Sequence, residues 1–322
     1  MRFRLLFLPA DCAKLEETED RPMDAKTQDF DVQEIEYLRH GDKPLLARIY
    51  TPKGPGPFPA LVECHGGAWC QSDRFTEKVR HEYMASHGVV SVALDFRSGN
   101  EDPYPASVQD INYAVRWVKL NATKLKTRPE MVGLSGQSSG GHLAMLVAMR
   151  PRDPRYAAIA LPAGSPALDA TVPCVIMSWP VINPLSRYRL AVRARAGANP
   201  PEWPKAIIAR QDSYWRGEAN MAEGNPMLAL ERGEKVLTPP ALWFQAHDDL
   251  MHDYKDEDSS VPGNEPQRFV ANYRKAGGEI DLIYFEGPRM AGHSPDLAKM
   301  GANFDRMIEF VGVHMKAGQK AA

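Results

Sequence analysis

Apolar residues recur along this chain with two different periods, and the periods alternate. EIEYLRH (Glu34 to His40) and LLARIYTP (Leu45 to Pro52) carry the short, β-rich pattern of strands, and the turn residues from His40 to Pro44 between them predict an opening hairpin. FPALVECHGG reads as a third strand closing on glycines. GVVSVALDFR is apolar with little interruption, the pattern of a strand covered on both faces. From Ala106 to Leu125 the period changes, and Val108, Ile111, Val115 and Val118 fall at helical spacing. Strand MVGLSGQ, helix SSGGHLAMLVAMR, strands CVIMSWP and ALWFQAHDD, a helix from Glu265 to Ala276, strand IDLIYFEG and a helix from Pro295 onward complete the series. Strands alternating with helices predict the α/β class, with a mostly parallel sheet covered by helices on both faces.

Two stretches interrupt that rhythm. Residues from Pro180 to Pro240 are rich in Pro, Arg and Trp and far exceed an ordinary crossover, which predicts a cap or lid over a binding site. Asp253 to Pro262 (DYKDEDSSVP) is a polar excursion after a strand. The expected organisation is an N-terminal arm over 1–30 and a catalytic domain over 31–322, with the cap inserted at about 180–240.

The densest cluster of small residues, LSGQSSGG, falls where a strand should hand over to a helix. Gly136-Gln137-Ser138-Ser139-Gly140 fits G-x-S-x-G there. A sharp strand-to-helix turn strains the central residue, and neighbours two positions away must be small to clear the adjoining elements. Ser138 is then thrust out at the carboxyl edge of the sheet, where open α/β sheets place ligands. The Ser139 N–H, in the first turn of the helix, points to the same spot and suits an oxyanion. Upstream, His65-Gly66-Gly67-Ala68-Trp69 follows the third strand, and its glycine pair leaves the backbone N–H groups of Gly66 and Gly67 open to a cavity. His65 itself is expected to hold that loop.

A serine needs a base to become a nucleophile, and the base needs an orienting acid. In a Ser…Asp…His order the base follows the acid-bearing strand, which leaves His252, His293 and His314 among the nine histidines. His314 falls in a terminal helical pattern and His252 close to the acid loop. His293, in the loop GPRMAGHSPD after the last strand, is the expected base. The acid is expected after ALWFQA, as Asp248 or Asp249.

Composition narrows the classes. A net charge of −2 offers no field for nucleic acid or anionic lipid, and no apolar stretch is long enough to span a bilayer. Cys12, Cys64, Cys70 and Cys174 have no framework spacing, so reduced thiols and a cytoplasmic location are expected. The opening MRFRLLFLPADCA is read as an amphipathic arm, because Pro9 and Asp11 cut its apolar run short of a secretion signal. His247, Asp248, Asp249, His252 and Asp253 crowd together but lack a standard metal-ligand spacing. No cofactor and no metal are expected.

Together HGGAW, YPASVQDINYAVRWVK, GLSGQSSGGHLA, NEPQRFVANYRKAGG and the late Gly292-His293 resemble the α/β-hydrolase superfamily. The likeness is to its esterase/lipase branch, related to hormone-sensitive lipase and to acetyl-xylan and feruloyl esterases. It runs from about Phe58 to the carboxyl terminus. It implies Ser138 as nucleophile, His293 as base, and Gly66, Gly67 and Ser139 as oxyanion donors. The family's G-x-x-D pattern fits Ala246-His247-Asp248-Asp249 best at Asp249. Trp69 is expected to contact substrate. Ala68 stands where the third glycine of HGGG would, Ala246 replaces the glycine before the acid, and the family's D-x-x-V-P is split by the acidic insertion before Val261-Pro262.

The expected activity is hydrolysis of a small-molecule carboxylic ester through an acyl-enzyme, by a protein compatible with a homodimer. The alternative is an amide or formamide hydrolase of the kynurenine formamidase type, which uses the same triad and shares HGG-x-W. In the cap, Arg187, Arg189, Arg193, Arg195, Arg210 and Arg216 lie among Trp179, Trp203, Tyr214 and Trp215 and would suit aromatic or acidic substrates. The plainer expectation is that most of these arginines are solvated or bridged to carboxylates.

Overall fold

The computed structural model describes residues 27–247, 249–285 and 297–316. Eight strands form one sheet in the order β1-β2-β4-β3-β5-β6-β7-β8. The opening hairpin is β1 (Phe30–His40) and β2 (Lys43–Pro52), paired antiparallel. β2 also runs antiparallel to β4 (Val90–Leu94), and every later pairing is parallel, through β3 (Ala60–Cys64), β5 (Val132–Gln137), β6 (Val175–Ser178), β7 (Ala241–Ala246) and β8 (Ile280–Phe285). The expected class is what the chain adopts: a largely parallel sheet with helices on both faces. The expected arm lies outside the described residues except for its last four.

Helices cover the sheet unequally. On one face lie α2 (Ala106–Leu120) and α3 (Ser139–Met149). Every residue of α3 is buried, the state of a helix that is apolar on all sides and lies in the centre of a core. On the other face α1 (Lys78–Ser86) and α9 (Leu297–His314) pack their apolar residues, among them Met84, Phe304, Met307 and Phe310, against Leu61, Ile176 and Leu242. The stretch between β6 and β7 holds four helices: α4 (Pro184–Ala196), α5 (Trp203–Trp215), α6 (Glu218–Glu223) and α7 (Pro226–Glu231). Proline opens α4, α5 and α7, where a missing N–H costs nothing. The helix expected over Glu265 to Ala276 is α8 (Glu265–Lys275), with the Asn264 N–H donating to the Gln267 side chain at its start.

Register decides what meets at the carboxyl edge. Cys64 pairs with Gly136, so the loops leaving β3 and β5 start side by side. Gln137 pairs with Ser178, and Ser178 with Phe244, which brings the end of β7 to the same edge. Three segments far apart in the chain therefore open into one space.

Beneath that edge lies an ion pair with both side chains almost fully buried, Arg80 Nη2 to Glu63 Oε2 at 2.9 Å, with Glu77 beside Arg80. Removing Glu63 leaves the buried guanidinium with Glu77 alone, 3.6 Å away. Glu63→Ala is expected to lower the unfolding free energy by about 3 kcal/mol, measured by urea denaturation.

Candidate active site

The turn after β5 is as tight as the sequence implies. Ser138 sits at φ 50°, ψ −119°, a conformation that a residue with a side chain adopts only when its surroundings force it. Its N–H donates to the Ser178 carbonyl at 2.9 Å, and its own carbonyl accepts from Val181 and His142. The flanking glycines are required by space. A Cβ on Gly136 would lie 2.5 Å from the Gly140 backbone, and one on Gly140 would lie 2.1 Å from the Cys64 carbonyl oxygen. Gly140 therefore lets α3 press directly onto the end of β3.

That contact also sets the loop after β3. A Cβ on Gly66 would stand 3.4 Å from Ser138 Cβ, so the two turns touch. Gly67, Ala68 and Trp69 follow in left-handed conformations, with φ of 100°, 51° and 62°. Gln71 and Cys70 N–H groups close the loop on the Gly67 carbonyl at 3.1 Å each. The Trp69 N–H donates to Ser139 Oγ at 3.1 Å and ties this loop to the first turn of α3. His65 stacks on Phe96 at 4.1 Å, with Nδ1 2.9 Å from the Gly66 carbonyl, the holding role expected of it.

On the third side of the space, the turn after β7 carries both an acid and an imidazole. His252 Nε2 lies 3.0 Å from Ser138 Oγ, and His252 Nδ1 lies 2.8 Å from Asp249 Oδ2. Both side chains are almost wholly buried. The turn is closed by Met251 N–H on Asp249 Oδ1 and by His252 and Asp253 N–H groups on the Asp249 carbonyl. An Asp three residues before a His on such a turn folds the two side chains onto one face. Asp-Leu-Met-His was the signal in the sequence for this pair, and closeness to the acid loop, which counted against His252, is what brings it there. His293, the expected base, and Asp248 lie outside the described residues. His247 stacks on Tyr284 at 4.8 Å, so the two histidines of the crowded stretch face different neighbours. Among the described residues no group of His, Cys, Asp and Glu converges as a metal site would require.

Ser138 and His252 open into a cleft of about 330 Å³, with Gly66, Gly67, Trp179, Arg187 and the inner face of α5 among its walls. Trp69, expected to touch substrate, stands behind that wall and is 1% exposed. It stacks on Tyr214 at 5.5 Å, meets Trp215 edge-on and carries the Arg187 guanidinium 5.0 Å above its ring. Its indole N–H donates to His142 Nδ1 at 3.2 Å, while His142 Nε2 lies 2.7 Å from the Gly224 carbonyl. One buried imidazole thus joins α3, the loop after β3 and the helical insertion. An apolar residue at this position in the loop therefore supports the cleft rather than lining it.

Comparison with known proteins agrees with this fold. Residues 48–173 match the family model BD-FAE. Probable carboxylic ester hydrolase LipM of Mycobacterium tuberculosis is 31% identical over 102 residues, 31% of this chain and 24% of that protein. Carboxylesterase NlhH of the same organism is 32% identical over 108 residues, 33% of this chain and 34% of that one. The matched stretch thus spans only about a quarter to a third of these relatives' length. In structure, Thermogutta terrifontis esterase 2, solved phosphoramylated by tabun, superposes with a TM-score of 0.63 at 25% identity, covering 89% of this chain and 97% of that one. The sheet order, the serine turn and these likenesses make the chain an α/β-hydrolase. Within that superfamily the likeness of its family-model match and of its relatives is to the esterase/lipase branch.

Two predictions follow from the packing here. Gly140→Ala should fold poorly or melt at clearly lower temperature, since the new methyl meets the Cys64 and His65 backbone; an overpacked core site costs about 1–3 kcal/mol, read as a shift of the thermal transition. Burial holds His65, His81 and His142 below their ordinary range, His142 from 6.5 down to about 3. The unfolded chain takes up protons below pH 6.5 that the folded chain refuses, so stability present above that pH is lost as it falls. His142 alone should account for about 2 kcal/mol of the loss by pH 5, and in urea titrations His142→Gln should show the shallower decline.

Proposed function

We propose that this protein is a serine hydrolase of carboxylic esters, and the observation that carries the reading is the continuous chain Ser138–His252–Asp249 at the mouth of the cleft. Ser138 Oγ attacks the ester carbonyl carbon while His252 Nε2 takes its proton. Asp249 accepts the His252 Nδ1–H bond, which fixes the tautomer and steadies the imidazolium that forms. The N–H groups of Gly66, Gly67 and Ser139 receive the tetrahedral oxyanion. As the tetrahedral adduct collapses, the alcohol leaves with the proton from His252, giving an ester of Ser138. Water, deprotonated by the same imidazole, then releases the acid and restores the hydroxyl. The carboxylesterase relatives support the ester as substrate class, and the absence of any helix long and apolar enough to cross a membrane among the described residues fits a small-molecule substrate.

His293 is the second candidate for the base, favoured by its place after the last strand in a chain of this superfamily. The two histidines are separated by assaying Ser138→Ala, His252→Ala and His293→Ala on 4-nitrophenyl butyrate and on an N-formyl arylamide. Ser138→Ala and His252→Ala should each lose about 10⁴-fold in kcat, with His293→Ala close to the parent. Loss confined to His293→Ala transfers the base to that residue, and full activity in Ser138→Ala ends the serine-hydrolase reading. Turnover of the formyl amide and not of the ester would move the protein to the formamidase type.

A further inference from the structure

The arginines of the helical insertion divide by what faces them. Arg189 meets Glu218 and Asp258, and Arg193 meets Glu257 and Asp258, so the polar excursion after β7 neutralises the outer side of α4. Arg187 and Arg210 line the cleft that holds Ser138 and His252. Arg187 is almost completely buried; its Nε donates to the neutral Gln211 side chain at 3.1 Å. No carboxylate among the described residues pairs with Arg210, which is half-buried on the inner face of α5. Trp203, Ala206, Ile207 and Arg210, at helical spacing of three and four, present that face to the cleft as an apolar strip ending in a guanidinium. No acidic side chain among the described residues lines the cleft, although acidic residues outnumber basic ones in the chain as a whole, 41 to 39.

We infer that the cleft selects esters bearing a carboxylate, which Arg210 receives while Trp203 and Ile207 hold the apolar spacer. A guanidinium confined among apolar walls loses water on one side, and a planar carboxylate restores those hydrogen bonds in two-pronged fashion. The inference rests on the hydrolase reading of Ser138 and names its substrate class. The charge lies on the acyl side of a dicarboxylic half-ester or on the alcohol side of a hydroxy-acid ester.

The test compares kcat/KM for isosteric pairs. 4-Nitrophenyl hemiglutarate against 4-nitrophenyl valerate places the charge on the acyl side, and 4-butyryloxybenzoate against its methyl ester places it on the alcohol side. For one pair the charged member should be preferred, and Arg210→Gln should lower that charged-to-neutral ratio about tenfold, with Arg210→Glu lowering it further. Arg195→Gln, the same charge change at an exposed position outside the cleft, should leave the ratio within a factor of about two, as expected for a screened distant charge. Hydrolysis of both members with ratios that Arg210→Gln does not move, or that Arg195→Gln moves equally, overturns the selectivity and leaves the hydrolase standing. Hydrolysis of no ester overturns the hydrolase. Calorimetric titration of the Ser138→Ala protein with monomethyl glutarate, which that protein should not turn over, then reads the anion site alone, kept by saturable binding that adding Arg210→Gln removes and ended by its absence.

Discussion

The site depends on one contact, the press of α3 against the end of β3 at Gly140. The space left for a side chain there is negative: a methyl would lie inside the Cys64 and His65 carbonyl oxygens. Because the helix comes this close, the chain must reverse within a single residue. Ser138 takes the strain, and its hydroxyl is held proud of the sheet edge. The loop after β3 starts beside the same contact and is fastened to it through the Trp69 N–H and Ser139. Position at the edge is thus inherited from sheet register, and orientation from the absence of two side chains.

Much of this was legible beforehand because it is local. Strand and helix periods, the glycines around Ser138 and the glycine pair after β3 are each written in a few consecutive residues. α1 was not legible, because Arg80 and His81 turn inward to Glu63 and Ser91, so polar residues occupy its buried face and erase the amphipathic pattern. Trp69 misled for a different reason. A tryptophan after a glycine loop satisfies the sequence equally well as a cleft wall or as its support, and only the stack with Tyr214 and Trp215 shows which. His252 was passed over because distance along the chain was taken to separate base from acid. A turn closed on the Asp249 carbonyl brings its imidazole to Ser138 Oγ all the same.

Electrostatics organises the insertion in two layers. Outside, α4 is bound to the excursion after β7 through Asp258 and Glu257, while Arg268 of α8 gathers Glu231, Asp256 and Glu265 from three segments. The partly exposed pairs of α4 each contribute little to stability, whereas Arg268 and Glu265 are almost fully buried, and as a network they fix where the insertion sits on the sheet. Inside, the contacts are mainly aromatic: Trp69, Tyr214, Trp215 and His142 form one packed group under the Arg187 guanidinium, with burial keeping the imidazole uncharged. Ion pairs on the rim and packed rings at the root together hold the wall of the cleft in place.

Asp249 and His252 ride on one turn of four residues, so they form a cassette rather than two parts brought from separate strands. If the stretch after β7 slides or tilts, donor and acceptor travel together and their mutual alignment survives. What changes is only the gap to Ser138. Under the proposed mechanism, activity is throttled by a single coordinate, the height of one turn above the sheet edge.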